Sequence, residues 1–222
     1  MSFRVVLASI VFAAPASSQE FHIPERDIDV PAIGEGAPIH VPTEFWESGQ
    51  HGLGALTLTG NVVRIEGPMA ADSDGAPAGA AGDKSTHQSQ TSLTLKDGSP
   101  VNADEVNYVV LPLKKGWKHY EELKGVKLGD FCKVTYNGKT LVAIAADKGP
   151  GDRSKFGEGS LALLRSLGVK TNGNTGIDSG VIYEFYPGSG SGAPADQTAA
   201  LAALNQFASN IGVTPPETAA SR

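Results

Sequence analysis

The dipeptide Asn137-Gly138 joins two β-rich runs, FCKVTY and KTLVAIAA. A two-residue hairpin loop of type I′ needs positive φ at both central positions, which Asn-Gly supplies at little cost. Residues 131–146 are therefore a hairpin, and the rest of the fold must be built around it. ALTLTGNVVRIE, from Ala55, alternates apolar and polar residues as a half-buried strand or hairpin does. Further strand signals are TSLTL (91–95), NYVVLPL (107–113) and VIYEFYPG (181–188), the last closed by Pro and Gly.

Two segments have helical spacing instead. SLALLRSL (160–167) starts on a serine and is followed by Gly168, matching N-cap and C′ preferences. ADQTAALAALNQFASNIG (195–212) places Leu201, Leu204, Phe207 and Ile211 on one face, with Asp196 as its cap. Short strands separated by turns, with two helices outside them, predict a mainly β fold: a small β-barrel with two peripheral helices.

The ends read differently. Arg4, the apolar run Val5 to Ala14 and the small residues of APASS have the pattern of a secretory signal, assigned to residues 1–18. The run is too short to span a bilayer, so a secreted or periplasmic protein is expected, with no membrane partner. Residues 19–53 form a Pro-, Gly- and His-rich lead-in, 54–212 the barrel domain, and 213–222 a tail. The small-residue and polar stretch from Met69 to Gln90 predicts a long loop.

Cys132 is the only cysteine, so no intramolecular disulfide can form. Its place in an apolar strand predicts a buried, hydrophobe-like thiol. The formal net charge is −6, and losing Arg4 with the leader makes it one more negative. That sign argues against nucleic acid and suits a cationic polymer.

The chemistry is concentrated in ADKGPGDRSKFGEGS. Asp147 ends a strand before a Gly149-Pro150 turn, and Glu158 stands eleven residues on, beside a helix start. Two carboxyl groups set across a groove are what glycosidic hydrolysis needs. Local chemistry offers another account: an acid at a helix N-terminus meets the macrodipole, and Asp is common in turns.

The segment GVKLGDFCKVTYNGKTLVAIAADKGPGDRSKFGEGSLALLRSLGV resembles the core of the fungal-type chitosanases, glycoside hydrolase family 75, which has bacterial members. The motifs are Leu128-Gly129-Asp130, Asp147-Lys148-Gly149-Pro150 and Gly157-Glu158-Gly159-Ser160. TSLTLKDGSPVNADEVNYVVLP (91–112), VIYEFYPGSG (181–190) and DSDGAP (72–77) are similar to other stretches of the family. The resemblance runs from about residue 65 to about 210.

It implies internal cleavage of β-1,4-glucosamine chains with inversion. Glu158 would protonate the leaving oxygen and Asp147 would activate the water, with no metal and no cofactor. The loop GDRSKF is longer than the family's usual form, which makes the carboxylate separation the quantity to determine and Asp152 a substitute candidate. The strand, D-x-G-P turn and helix are also similar to the double-psi barrels of cellulases, expansins and septal lytic proteins. That implies a six-stranded double-psi-like barrel, and it leaves hydrolysis of cellulose or peptidoglycan, or non-catalytic wall binding, as rival functions.

Asp72 and Asp74, with Trp117 and Tyr120, are the expected substrate-binding residues of a monomeric chitosan hydrolase. A calcium loop through Asp72, Asp74 and Asp83 is disfavoured because alanines occupy intermediate ligand positions and no bidentate Glu follows. Ser160 reads as a helix cap, since GEGSLA is not a nucleophile elbow. Asp130 reads as a turn cap before a strand. The five histidines lack zinc-ligand spacing.

Overall fold

A computed structural model describes residues 39–41, 54–59, 62–78, 87–112, 125–149, 157–170 and 176–215. Its elements are β1 (Ile39–Val41), β2 (Gly54–Thr59), β3 (Val62–Asp72), β4 (Tyr108–Leu111), β5 (Phe131–Tyr136), β6 (Lys139–Lys148), β7 (Glu158–Ser160), α1 (Leu161–Leu167), β8 (Ile177–Tyr186) and α2 (Gln197–Asn210). The Asn137-Gly138 turn is as expected: φ is +46° and +75°, and Tyr136 pairs with Lys139 across it.

Six strands close into a barrel of mixed pairing. β3 runs parallel to β7, β7 antiparallel to β4, and β4 parallel to β6. β6, β5, β8 and β3 then follow as antiparallel neighbours, which brings the ring back to its start. β1 and β2 extend the sheet from β3, so residues 39–41 of the lead-in carry a strand.

Strand alternation builds two cores from the same residues. Leu141, Ala143 and Ala145 of β6 face the barrel interior with Cys132, Val134, Val109, Leu111, Tyr183 and Phe185. Val142, Ile144 and Ala146 face outward, into a second core with Tyr108, Val110, Phe131 and the buried side of α2. Strands covered on both faces read as continuous apolar runs, which explains LVAIAA and YVVL. Cys132 is fully buried, and burial pushes its thiol well above the usual range.

Three expectations are corrected. β3 runs through Met69 to Asp72 rather than ending before the polar stretch, because Met69 is an interior residue with no exposure. TSLTL is not a strand but carries only an isolated bridge, Thr94 to Pro100. It touches β6 through Leu93 N–H to Ala146 O, 2.8 Å. It then turns back at Asp97, which accepts from Ser99 N and Oγ. On α2, Leu201 is exposed. The buried stripe is Ala200, Ala203, Leu204, Phe207 and Ala208, where alanines let the helix approach and Phe207 stacks on Phe131 at 4.6 Å.

Candidate active site

Asp147 is the ninth residue of β6, and a bulge decides where it lies. Val109 pairs with Ala145 but Val110 pairs with Asp147, so the register shifts by one residue between them. Without the shift Asp147 would lie opposite Leu111, an interior residue. One residue of slip moves a side chain to the other face, and here it sets Asp147 beside Val110 in an open cleft. Among the described residues the cleft is lined by Asp72, Asp74, Gln88, Val110, Asp147 and Glu158 with their neighbours.

Glu158 opens β7, two residues before the cap of α1, so it is a strand residue and not part of the helix's first turn. Gly157, with φ +111°, makes the turn into the strand, and a Cβ there would meet Pro68 O at 2.9 Å. Gly159 packs inward, where an added Cβ would meet Met69 Sδ at 2.8 Å. Alternation then sends Glu158 the other way, into the cleft.

β4 lies between the two acid-bearing strands. Val109 pairs with Gly159 on β7, and continuing that antiparallel register by one residue sets Glu158 opposite Val110. Asp147 is opposite Val110 on the other side. The two acids therefore flank Val110 at one level, two interstrand spacings apart, or roughly 10 Å between backbones.

A second pair of acids converges on Asp147. Asp72 ends β3 and Asp74 follows in the turn. One carboxylate oxygen from each of Asp72, Asp74 and Asp147 lies within 4.8 Å of the others, and all three residues are buried. Asp74 N–H donates to Asp72 Oδ1 at 2.9 Å, and Gln88 N–H to Asp74 Oδ1 at 2.6 Å. Burial first, and the Asp74 carboxylate second, push the Asp72 carboxyl up to about 7. Tyr108 Oη donates to Asp74 O at 3.0 Å. Burial and the three carboxylates hold that hydroxyl well above its usual range, so it remains a donor.

Ser160 has a complete structural role. Its Oγ accepts from Leu163 N–H at 3.1 Å and from Tyr108 N–H at 3.0 Å, and donates to Val106 O at 2.8 Å. Ser160→Ala should cost roughly 2 kcal/mol, by loss of the cap and a buried N–H left without its acceptor. Hydrolysis at permissive temperature should persist. Thermal melts beside a reducing-end assay test both statements, and an inactive but fully folded variant would contradict them. Asp130 is likewise structural: its two oxygens accept from Lys127 N–H at 2.8 Å and Gly190 N–H at 3.1 Å.

Asp147, Glu158, Asp72 and Asp74 are thus brought together in one cleft. Trp117, Tyr120, Asp83 and Asp152 lie outside the described residues. Sequence reasoning did not find Tyr108 or Ser92. The hydroxyl and N–H of Ser92 both bond Asp147. Its signal was the alternation of TSLTL, where Thr91, Leu93 and Leu95 are buried and Ser92 faces out.

The family described as fungal chitosanase of glycosyl hydrolase group 75 matches residues 69–214, a span that starts within β3 and includes every acid of the cleft. The chain belongs to this family. It is a chitosanase-type glycoside hydrolase, with a glycan as its substrate. No curated protein matches the chain. Among solved structures the Streptomyces papain inhibitor (SPI) is similar at 19% identity and a TM-score of 0.33, over 55% of this chain and 93% of the inhibitor. Among the described residues no helix is long and apolar enough to cross a membrane.

Proposed function

We propose that this chitosanase-type hydrolase cleaves β-1,4-glucosamine chains internally and with inversion, Glu158 acting as general acid and Asp147 as general base. The observation that carries this reading is the placement of the two acids on either side of Val110, in register with it, in one cleft. Inverting enzymes hold their carboxyl groups roughly 6.5–9.5 Å apart so that a water fits beneath the sugar; retaining enzymes need about 5 Å. Acid-bearing strands with a third strand between them suit the wider spacing.

In the reaction Glu158 delivers its proton to the glycosidic oxygen as the C1–O bond breaks. A water held by Asp147 attacks C1 from the opposite face and gives its proton to that carboxylate. The Asp74 carboxylate, whose charge helps keep the neighbouring Asp72 protonated, adds negative charge where glucosamine carries ammonium groups, which favours a polycationic glycan over cellulose. We also propose that the protein is secreted, a reading supported by the signal pattern at residues 1–18.

Purified protein should generate reducing ends on chitosan but not on carboxymethyl cellulose or peptidoglycan. The product first seen by NMR should be the α-anomer. A β-anomer appearing first would overturn inversion, and activity confined to another glycan would overturn the substrate.

A further inference from the structure

We propose that Ser92 is a positioning residue for Asp147, fixing the carboxylate so that one oxygen is held by the protein and the other is presented to the reacting water. The inference rests on the reading of Asp147 as the base, and it adds a residue that this reading does not contain.

The geometry is specific to one oxygen. Ser92 N–H donates to Asp147 Oδ1 at 2.9 Å and Ser92 Oγ to the same atom at 2.6 Å. Lys148 N–H also donates to Oδ1, at 2.7 Å, and lies 3.2 Å from Ser92 Oγ. Three donors thus converge on Oδ1, and among the described residues none reaches Oδ2. A carboxylate held this way cannot rotate about its Cβ–Cγ bond without losing charge-assisted hydrogen bonds, so Oδ2 keeps one direction.

The support behind Ser92 is rigid. Leu93 N–H donates to Ala146 O at 2.8 Å, which ties the segment to the bulge residue that aims Asp147. Thr91 Oγ1 donates to Leu93 O at 2.8 Å and accepts from Val101 N–H at 2.9 Å. With Thr91 and Leu93 buried on either side, Ser92 is left facing Asp147. An isolated surface serine would have no reason for such a frame.

The experiment compares kcat and KM on chitosan oligomers for the wild type, Ser92→Ala, Ser92→Thr, Asp147→Asn and the double variant Ser92→Ala/Asp147→Asn. Ser92→Ala should lower kcat roughly 10- to 100-fold, the effect of one charge-assisted hydrogen bond, with KM changed less than about twofold. Ser92→Thr should restore most of the rate, since the position is exposed and has room for a methyl group. The double variant should be no slower than Asp147→Asn alone, because Ser92 acts through that residue.

A Ser92→Ala kcat within twofold of wild type would overturn the proposal. So would equal losses from Ser92→Ala in the presence and absence of Asp147, which would mark a purely structural role. Full activity in Asp147→Asn would instead defeat the general-base reading, and that result is separate from either.

Discussion

Glu158→Gln is expected to lower kcat on chitosan by about three orders of magnitude, and Asp147→Asn by a similar factor, the middle of the range that one general acid or base contributes. The two losses should differ in kind. Glutamine cannot give a proton to the departing oxygen, so a glucosamine oligomer carrying a good leaving group such as nitrophenolate should recover much of the rate in Glu158→Gln. The leaving group then departs without help, and the acid is no longer needed. Asp147→Asn should not recover on that substrate, because water must still be deprotonated as it attacks. Single-turnover rates on both substrates separate the roles. Recovery in Asp147→Asn but not in Glu158→Gln would exchange the assignments, and full activity in both would place the chemistry elsewhere in the cleft.

The elements that sequence disclosed best were those whose signals are local. Asn137-Gly138 specifies its turn through backbone conformation alone. Ser160 and Gly168 bracket α1 as its caps, Ser160 accepting from Leu163 N–H and Gly168 taking φ +92°. Closure of the barrel was legible only as a class, because it depends on pairings between distant segments such as β3 with β8. The face of α2 was misread at Leu201 for the same reason: the partner surface, Phe131 and Tyr186 against Phe207, decides which residues are covered.

At the site, the family resemblance pointed to Asp147, Glu158, Asp72 and Asp74, which share one cleft, but it did not give their geometry. Nothing local to Asp147 announces the bulge that turns it beside Val110, since a register shift belongs to a pair of strands. Nor does DSDG reveal that Asp72 and Asp74 meet Asp147, which is separated from them by more than seventy positions. Ser92 looked like the polar half of an alternating strand. Its importance comes from Leu93 bonding Ala146, a contact between segments that sequence patterning does not encode.

The meeting of Asp72, Asp74 and Asp147 has a consequence for stability that runs opposite to the usual behaviour of carboxylates. Burial and Asp74 raise the Asp72 carboxyl from 3.8 to about 7 in the folded protein. Between those values the native state holds a proton that the unfolded chain has released. Stability is therefore fully present below about pH 4 as far as this group is concerned, and it is lost as pH rises toward 7, by roughly 1.4 kcal/mol per pH unit. Asp72→Asn keeps the shape and the acceptor for Asp74 N–H while removing the ionisation. At pH 8 it should be more stable than the wild type by roughly 4 kcal/mol, a rise in Tm of roughly 10 °C for a protein of this size. At pH 4 the two should melt nearly together. Melting curves at pH 4, 6 and 8 for both proteins read the difference directly, and titrating groups outside the cleft cancel in it, while Asp74 and Asp147, which interact with Asp72, titrate with it as one set. Equal pH dependence in the two proteins would show that the charge in the cleft is relieved at some group other than Asp72.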